Sequence, residues 1–101
     1  MIRLFLIITF ILSIANCQQS GKIKLIASLP STVDEVSGIE MIPNSDLVWM
    51  INDSGNSNTL YVYDIVSNSI TRTIRISNGV NTDWEDLATD TLGNLYIGDF
   101  G

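Results

Sequence analysis

VSGIEMIPNSDLVWMINDSGNSNTLYVYDIVSNSITRTIRI, residues 36–76, is the stretch of this sequence that decides the fold. It contains four short apolar runs, and Pro, Asn, Ser, Asp and Gly fill the gaps between them, which is the pattern of strands joined by polar turns. The pattern predicts strands over residues 36–42, 47–51, 60–65 and 70–76. The second and third runs are apolar without alternation and the fourth alternates, so the middle strands should be covered on both faces and the last should be half exposed.

This gradient of exposure favours one architecture. A radial sheet stacked between neighbouring sheets needs buried inner strands and a solvated outer strand, whereas a free two-layer sandwich would alternate more regularly in every strand. Four antiparallel strands that run outward from a central channel form the blade of a β-propeller. We therefore predict an all-β fold built from antiparallel four-stranded blade units.

The pattern starts again before residue 90. A shift of 46 positions places residues 37–42 on residues 83–88, and residues 49–55 on residues 95–101 without a gap (86 − 40 and 99 − 53 both equal 46). Blade repeats run to about 40–50 residues. Residues 35–101 are therefore predicted to form the first blade and the start of a second, about one and a half blades where a propeller needs about four to eight.

An incomplete ring leaves open edges and faces that other strands must cover. The remaining blades of a longer chain are the predicted partners, and assembly with copies of the same chain is the alternative. Residues 18–34 are interpreted as an N-terminal linker. Within this linker, residues 22–29 alternate with period two, which predicts the strand that closes the ring by joining the last blade.

Residues 1–17 have the layout of an export signal. Arg3 precedes the apolar run of residues 4–12, and small residues follow it as far as Cys17. The run is too short for a bilayer core roughly 30 Å thick. Two cleavage outcomes stay open: ordinary secretion of a chain that begins at Asn16, or lipidation of Cys17, because residues 14–17 resemble the lipobox of bacterial lipoproteins. The protein is thus expected to be secreted, periplasmic or lipid-anchored in the outer envelope, and a lipid on Cys17 is its only expected membrane contact.

Charge and composition exclude several classes of function. The 101 residues carry eleven Asp and Glu against five Lys and Arg, for a net charge of −6. Such an acidic surface has no counter-charge for nucleic acid, so we expect no nucleic-acid partner. The sequence contains no His, which excludes Ser–His, Cys–His and His-ligated metal mechanisms for the chain acting alone.

Carboxylates at repeated positions are the candidate metal ligands. In a propeller the innermost strands line the channel, and the loops after the next strands gather at one mouth, so equivalent acids should converge. Converging carboxylates repel by roughly 4 kcal/mol per close pair and need a cation, a proton or hydrogen bonds to coexist. Ca²⁺, with about six to eight oxygen ligands, suits such a ring. The candidate ligands are Glu40, Asp53, Glu85, Asp86 and Asp99.

The same acids also have a purely structural interpretation. Asp and Asn at strand ends followed by Gly are ordinary turn formers, whose side chains bond their own backbone two residues on. For residues 52–55 (NDSG) and 98–101 (GDFG), structural turns are the favoured interpretation. For residues 83–86 (DWED), a hydrogen-bonded lock between blades stands equally beside a site for a cation or another ligand in the channel.

Four motifs together resemble a family of exported bacterial propeller proteins, most of them uncharacterised. These motifs are residues 35–38 (EVSG), 52–55 (NDSG), 83–86 (DWED) and 98–101 (GDFG). More remotely, the family is similar to phytase-type and lactonase-type propellers, which hold Ca²⁺ in an acidic channel. The resemblance implies a propeller fold over residues 35–101 and an extracytoplasmic setting, and it brings no established activity.

Two functions from different classes follow from this reasoning. The first is an exported module that binds a ligand or a partner and is organised by Ca²⁺. The alternative is a metal-dependent hydrolase, similar to phytases or lactonases, in which channel carboxylates activate a metal-bound water.

Overall fold

The computed structural model describes residues 21–101, and its regular structure is almost entirely β-strand. The export signal predicted for residues 1–17, its lipidation at Cys17 and the first part of the linker lie outside the described residues. One 3₁₀ turn (Ser31–Val33) precedes six strands, and residues 21–101 contain no α-helix. The predicted all-β class is confirmed. The strands are β1 (Val36–Met41), β2 (Leu47–Asn52), β3 (Thr59–Asp64), β4 (Ser69–Arg75), β5 (Trp84–Thr89) and β6 (Leu95–Asp99).

The first four strands form one antiparallel sheet in the order β1-β2-β3-β4. Their bounds match the predicted strands to within one residue at each end. Asn44 and Asn68, in the turns that follow β1 and β3, have φ angles of 58° and 55°. Asn tolerates this left-handed conformation better than most residues, so these two positions fix tight reversals between consecutive strands.

The middle of this sheet is covered on both sides. On one side, which we call the Tyr63 face, Val48, Met50 and Tyr63 pack with Val33 of the 3₁₀ turn. On the other side, the Ile51 face, Ile51 packs in a second cluster that includes Trp84 of β5. The outer strand β4 is mostly exposed. The predicted gradient, from strands buried on both faces to a solvated fourth strand, is confirmed.

Strands β5 and β6 form a separate antiparallel hairpin that packs through β5 on β1 and β2. Trp84 and Leu87, each 4 % exposed, lie against the Ile51 face. The two strands approach closely at Gly38, where a Cβ atom would lie 3.0 Å from the backbone carbon of Asp86. A larger residue at position 38 would therefore press on the backbone of β5 and on the Ile51 side chain.

Two hydrogen bonds join β1 to β5 at this contact. The Ser37 hydroxyl donates to the carbonyl of Trp84 over 2.6 Å. The Thr89 hydroxyl donates to a carboxylate oxygen of Glu40, also over 2.6 Å. Because both bonds reach from the first sheet to the hairpin, they fix the position of the second unit on the first as well as its distance.

The strand predicted over residues 22–29 is not formed in the structure. Residues 21–30 have no regular secondary structure, and Ile23, Leu25 and Ile26 are exposed. Ala27 packs at the margin of the Tyr63 face, and the Tyr63 hydroxyl donates to the carbonyl of Ser28 over 3.4 Å. A strand forms only beside a partner that satisfies its N–H and C=O groups, and this segment has no paired strand among the described residues.

The backbone register corrects the 46-position alignment of the two units. Both hairpins carry a bulge after the first residue of the first strand, between Val36 and Gly38 and between Trp84 and Asp86. Gly38 thus corresponds to Asp86 (86 − 38 = 48), and Ile51 corresponds to Gly98 (98 − 51 = 47). The 46-position shift matched side-chain letters, whereas the hydrogen-bond ladders, with the bulge at the same place in both units, give shifts of 48 and 47.

Candidate acidic site

Three carboxylates converge where the first sheet meets the hairpin. One carboxylate oxygen each from Asp53, Asp83 and Glu85 lies within 4.8 Å of the other two. All three side chains are partly buried. Asp53 follows β2, Asp83 precedes β5 and Glu85 lies in β5, so the group, which we call the acidic cluster, joins residues about thirty positions apart along the chain.

Asn81 brings the two sides of the acidic cluster together. Its side-chain nitrogen donates to the carbonyls of Asn52 and Asp53, over 3.0 and 2.9 Å. Its side-chain oxygen accepts the N–H of Trp84 over 3.1 Å. One amide therefore ties the end of β2 to the start of β5, and it holds the Asp53 backbone beside the strand that carries Glu85.

Glu85 is the member of the acidic cluster whose protonation the other two acids change. The pKa of Glu85 is raised above its ordinary value, and the largest cause is the negative charge of Asp53. Desolvation and the neighbouring Asp83 raise the pKa further. Carboxylates in this arrangement favour whatever neutralises them, which is a proton or a cation.

The chain also passes close to the acidic cluster at Gly101. The N–H groups of Phe100 and Gly101 both point to the carbonyl of Asp83, over 3.2 and 3.5 Å. A Cβ atom on Gly101 would overlap carboxylate oxygens of Asp83 and Glu85. A larger residue at this position would therefore have to displace the ends of these two flexible side chains.

Asp99, a predicted ligand, performs a structural task in this structure. Its carboxylate accepts the N–H groups of Asp83 and Thr82, over 2.9 and 3.4 Å. It therefore fixes the turn that leads into β5. This contact agrees with the structural interpretation of residues 98–101, and the structure places Asp99 outside the acidic cluster.

Glu40 and Asp86 do not meet, although the sequence alignment paired them. Glu40 accepts the hydroxyl of Thr89, and Asp86 is exposed and accepts the N–H of Leu87 over 2.8 Å. In the corrected register Glu40 corresponds to Ala88, so the two acids do not occupy equivalent places. Of the five predicted ligands, the structure brings together Asp53 and Glu85.

Asp83 belongs to the acidic cluster but was absent from the predicted ligands. The signal was present in the sequence, because Asp83 lies only two positions before Glu85 and both acids belong to the DWED motif of residues 83–86. The 46-position shift concealed this signal by placing Asp83 on Ser37. In the corrected register Asp83 corresponds instead to Glu35, another acid.

Two other acids show how an ordinary turn carboxylate behaves here. Asp90 accepts hydrogen bonds from Asn94, Leu92 and Tyr96 in the turn between β5 and β6, and these lower its pKa to about 2. The pKa of Asp64 is lowered by the N–H groups of Ser67 and Val66. Glu85 shifts in the opposite direction, which separates the acidic cluster from the turn-forming acids.

Comparison with known proteins assigns no relative to this chain: no family model, curated protein or solved structure matches it. Within residues 21–101 no helix is long and apolar enough to cross a membrane. Fold and site thus define an antiparallel all-β protein with a carboxylate cluster at the junction of its two units.

Proposed function

We propose that this chain is the opening part of an exported, propeller-type binding module organised by Ca²⁺. Asp53, Asp83 and Glu85 are the proposed cation ligands, and the observation that carries the proposal is their convergence from two successive units. Hard oxygen ligands are the donors that Ca²⁺ prefers, and three carboxylates supply part of its usual set of about six to eight oxygens.

The stacking of the two units supports the propeller part of the proposal. A four-stranded antiparallel sheet is followed by a hairpin whose first strand lies across the inner strands β1 and β2. Successive radial blades stack in this way around a channel. The remaining blades are the proposed partners, and they would cover the apolar side chains that the two units leave exposed.

A bound cation would act on the junction between the units. It would neutralise the repulsion that raises the pKa of Glu85, and it would link the loop after β2 to the start of β5. Export, with or without a lipid on Cys17, belongs to the same proposal, because Ca²⁺ sites of modest affinity are typical of extracellular modules. No contact among residues 21–101 favours the hydrolase alternative over this binding role.

Thermal denaturation of the full chain with Ca²⁺, with excess chelator and with Mg²⁺ tests the proposal. A single site filled at about 100 times its Kd adds about 2.7 kcal/mol to the free energy of unfolding, so Ca²⁺ should raise the Tm and the chelator should reverse the rise. Glu85→Gln and Asp83→Asn should abolish the response. Asp86→Asn is the matched control, because it removes an acid from β5 outside the acidic cluster.

A wild-type Tm that Ca²⁺ leaves unchanged would overturn the cation site. A response that survives Glu85→Gln and Asp83→Asn would place the site elsewhere and contradict the assignment equally.

A further inference from the structure

The loop between β4 and β5 carries the only Asn-Gly pair of the chain, at Asn78 and Gly79. Asn78 is exposed and lies in a turn that is closed by a hydrogen bond from the N–H of Gly79 to the carbonyl of Ile76, over 3.3 Å. This bond is longer than most N–H···O bonds, so the Gly79 nitrogen is held only weakly. Glycine also has no Cβ, which leaves that nitrogen open to the Asn78 side chain.

The side chain of Asn78 is not held by the other described residues, unlike most asparagines of this protein. Six of the asparagines in residues 21–101 have a side chain fixed by a hydrogen bond, namely Asn52, Asn56, Asn58, Asn68, Asn81 and Asn94. Within this part of the chain the other two are Asn44 and Asn78. Asn44 is followed by Ser45, whose side chain shields the backbone nitrogen. Asn78 is therefore the asparagine most open to attack by its own backbone.

We propose that Asn78 is a site of spontaneous deamidation in the folded protein. The Gly79 nitrogen attacks the side-chain carbonyl carbon of Asn78, and the new C–N bond closes a succinimide ring. The side-chain nitrogen leaves as ammonia, with the proton that the Gly79 nitrogen gives up. Water is the second reactant and opens the ring. Breaking the bond to the side-chain carbon gives aspartate, whereas breaking the bond to the main-chain carbon gives isoaspartate, in which the backbone is longer by one carbon.

The backbone that follows Asn78 packs at the junction of the two units. The Gly79 carbonyl accepts a hydrogen bond from the Asn58 side chain over 2.8 Å. A Cβ atom on Gly79 would lie 2.9 Å from a methyl carbon of Ile76 and 3.8 Å from a ring carbon of Trp84. Ile76 and Trp84 pack together in the cluster between the first sheet and the hairpin. A change in the backbone at Gly79 therefore reaches the contact through which the hairpin docks.

The two products should differ in their effect on this contact. Both add one negative charge, because a carboxyl group of this kind is ionised at neutral pH. Aspartate keeps the length of the backbone and places its charge at an exposed position, so the junction should stay intact. Isoaspartate displaces Gly79 from Asn58 and Trp84, which should loosen the docking of the hairpin. The inference rests on the packing of the two units, and it does not depend on the proposed cation site.

Incubation of the full chain, purified as the host processes it, at neutral and at mildly alkaline pH tests the site. Peptide mapping by mass spectrometry identifies which asparagine has become an acid, and released ammonia gives the rate. We expect residue 78 to react before any other asparagine of residues 21–101, and the rate to rise with pH because the attacking nitrogen must lose its proton. Asn78→Gln should abolish the early release of ammonia. Asn44→Gln is the matched control and should leave it unchanged.

The same incubation in guanidinium chloride shows whether the fold sets this selectivity. Asn56 and Asn68 are each followed by serine, and in the folded chain Glu35 and Tyr63 hold their side chains by hydrogen bonds. The denatured chain loses these bonds, so both asparagines should react faster there than in the folded protein. If either one reacts as fast as Asn78 in the folded chain, the argument from hydrogen bonding is wrong.

The effect on the junction is measured on the products. Ion-exchange chromatography separates the deamidated chains, and Asn78→Asp supplies the ordinary aspartate product directly. We expect the midpoint of denaturation, followed by tryptophan fluorescence, to fall for the isoaspartate chain and to stay near wild type for Asn78→Asp. Two results would overturn the proposal: an Asn78 that stays intact under these conditions, or an isoaspartate chain that is as stable as wild type.

Discussion

Replacing Asn81 with Ala should destabilise the protein far more than an exposed asparagine normally would. The substitution removes two hydrogen bonds to the carbonyls of Asn52 and Asp53 and one from the N–H of Trp84. At about 1 kcal/mol net for each bond, the free energy of unfolding should fall by about 3 kcal/mol. For a domain of this size that is a drop in Tm of roughly 12 °C or more.

The matched control is Asn94→Ala. The Asn94 side chain also donates to a neighbouring group, the carboxylate of Asp90, over 2.8 Å, but it does so in an exposed turn within one hairpin. Urea denaturation at neutral pH, followed by tryptophan fluorescence, should report a loss for Asn94→Ala of about 1 kcal/mol or less. If Asn81→Ala costs no more than Asn94→Ala, the amide does not join the two units and the reasoning is refuted.

Three further predictions concern the contact between the units and the turn between β5 and β6. Gly38→Val should lower the free energy of unfolding by about 1–3 kcal/mol, because its Cβ would meet the backbone of β5 at 3.0 Å; a chemical denaturation curve that matches wild type would contradict this. Leu87→Ala should cost about 2–5 kcal/mol by opening a cavity between the units, and calorimetry measures the loss; an unchanged Tm would show that Leu87 is not packed there. Asp90 has a pKa of about 2 in the folded protein against an ordinary 3.8, so its contribution to stability is complete above pH 3.8 and is lost as the pH falls toward 2. In acid titrations, Asp90→Asn should therefore make the free energy of unfolding fall less steeply over that pH range. An unchanged slope would count against the hydrogen bonds of this turn.

The strands were predictable because their local signals agree. Apolar runs of strand length are bounded by turn residues, and two of the turns place Asn at a left-handed position, so the pattern and the backbone point to the same boundaries. Residues 22–29 carry an equally regular alternation but form no strand here. Alternation specifies which side of a strand is apolar, and the strand itself depends on a neighbour that hydrogen-bonds to it.

The candidate site was only partly predictable, for a reason that lies in the backbone. The hydrogen-bond ladders set which positions are equivalent, and they depart from the alignment of letters by two residues between β1 and β5 and by one residue between β2 and β6. That shift separates Glu40 from Asp86. It also makes Asn52, and not Asp53, the residue of the first unit that corresponds to Asp99. Asp53 and Glu85 meet through Asn81, a contact across the junction that no local pattern encodes.

Asp90 and Glu85 show that the residue type alone does not decide in which direction the pKa of a carboxyl group shifts. Both are acids at the rim of the same hairpin. Asp90 accepts hydrogen bonds from its own turn, which stabilise the charged form and lower its pKa. Glu85 faces two other acids, which stabilise the neutral form and raise its pKa. The turn is local and could be anticipated from the sequence, whereas the second environment exists only after the two units have packed.

The pKa of Glu85 reports the acidic cluster most directly, and it is measured by NMR titration of the side-chain carboxyl carbon in wild type, Asp53→Asn and Asp90→Asn. We expect the pKa of Glu85 to lie above the ordinary value of 4.5 in wild type, to fall toward 4.5 in Asp53→Asn, and to stay unchanged in Asp90→Asn. A wild-type Glu85 that titrates at 4.5 and ignores the loss of Asp53 would mean that the two units do not meet as described, and the acidic cluster would not exist.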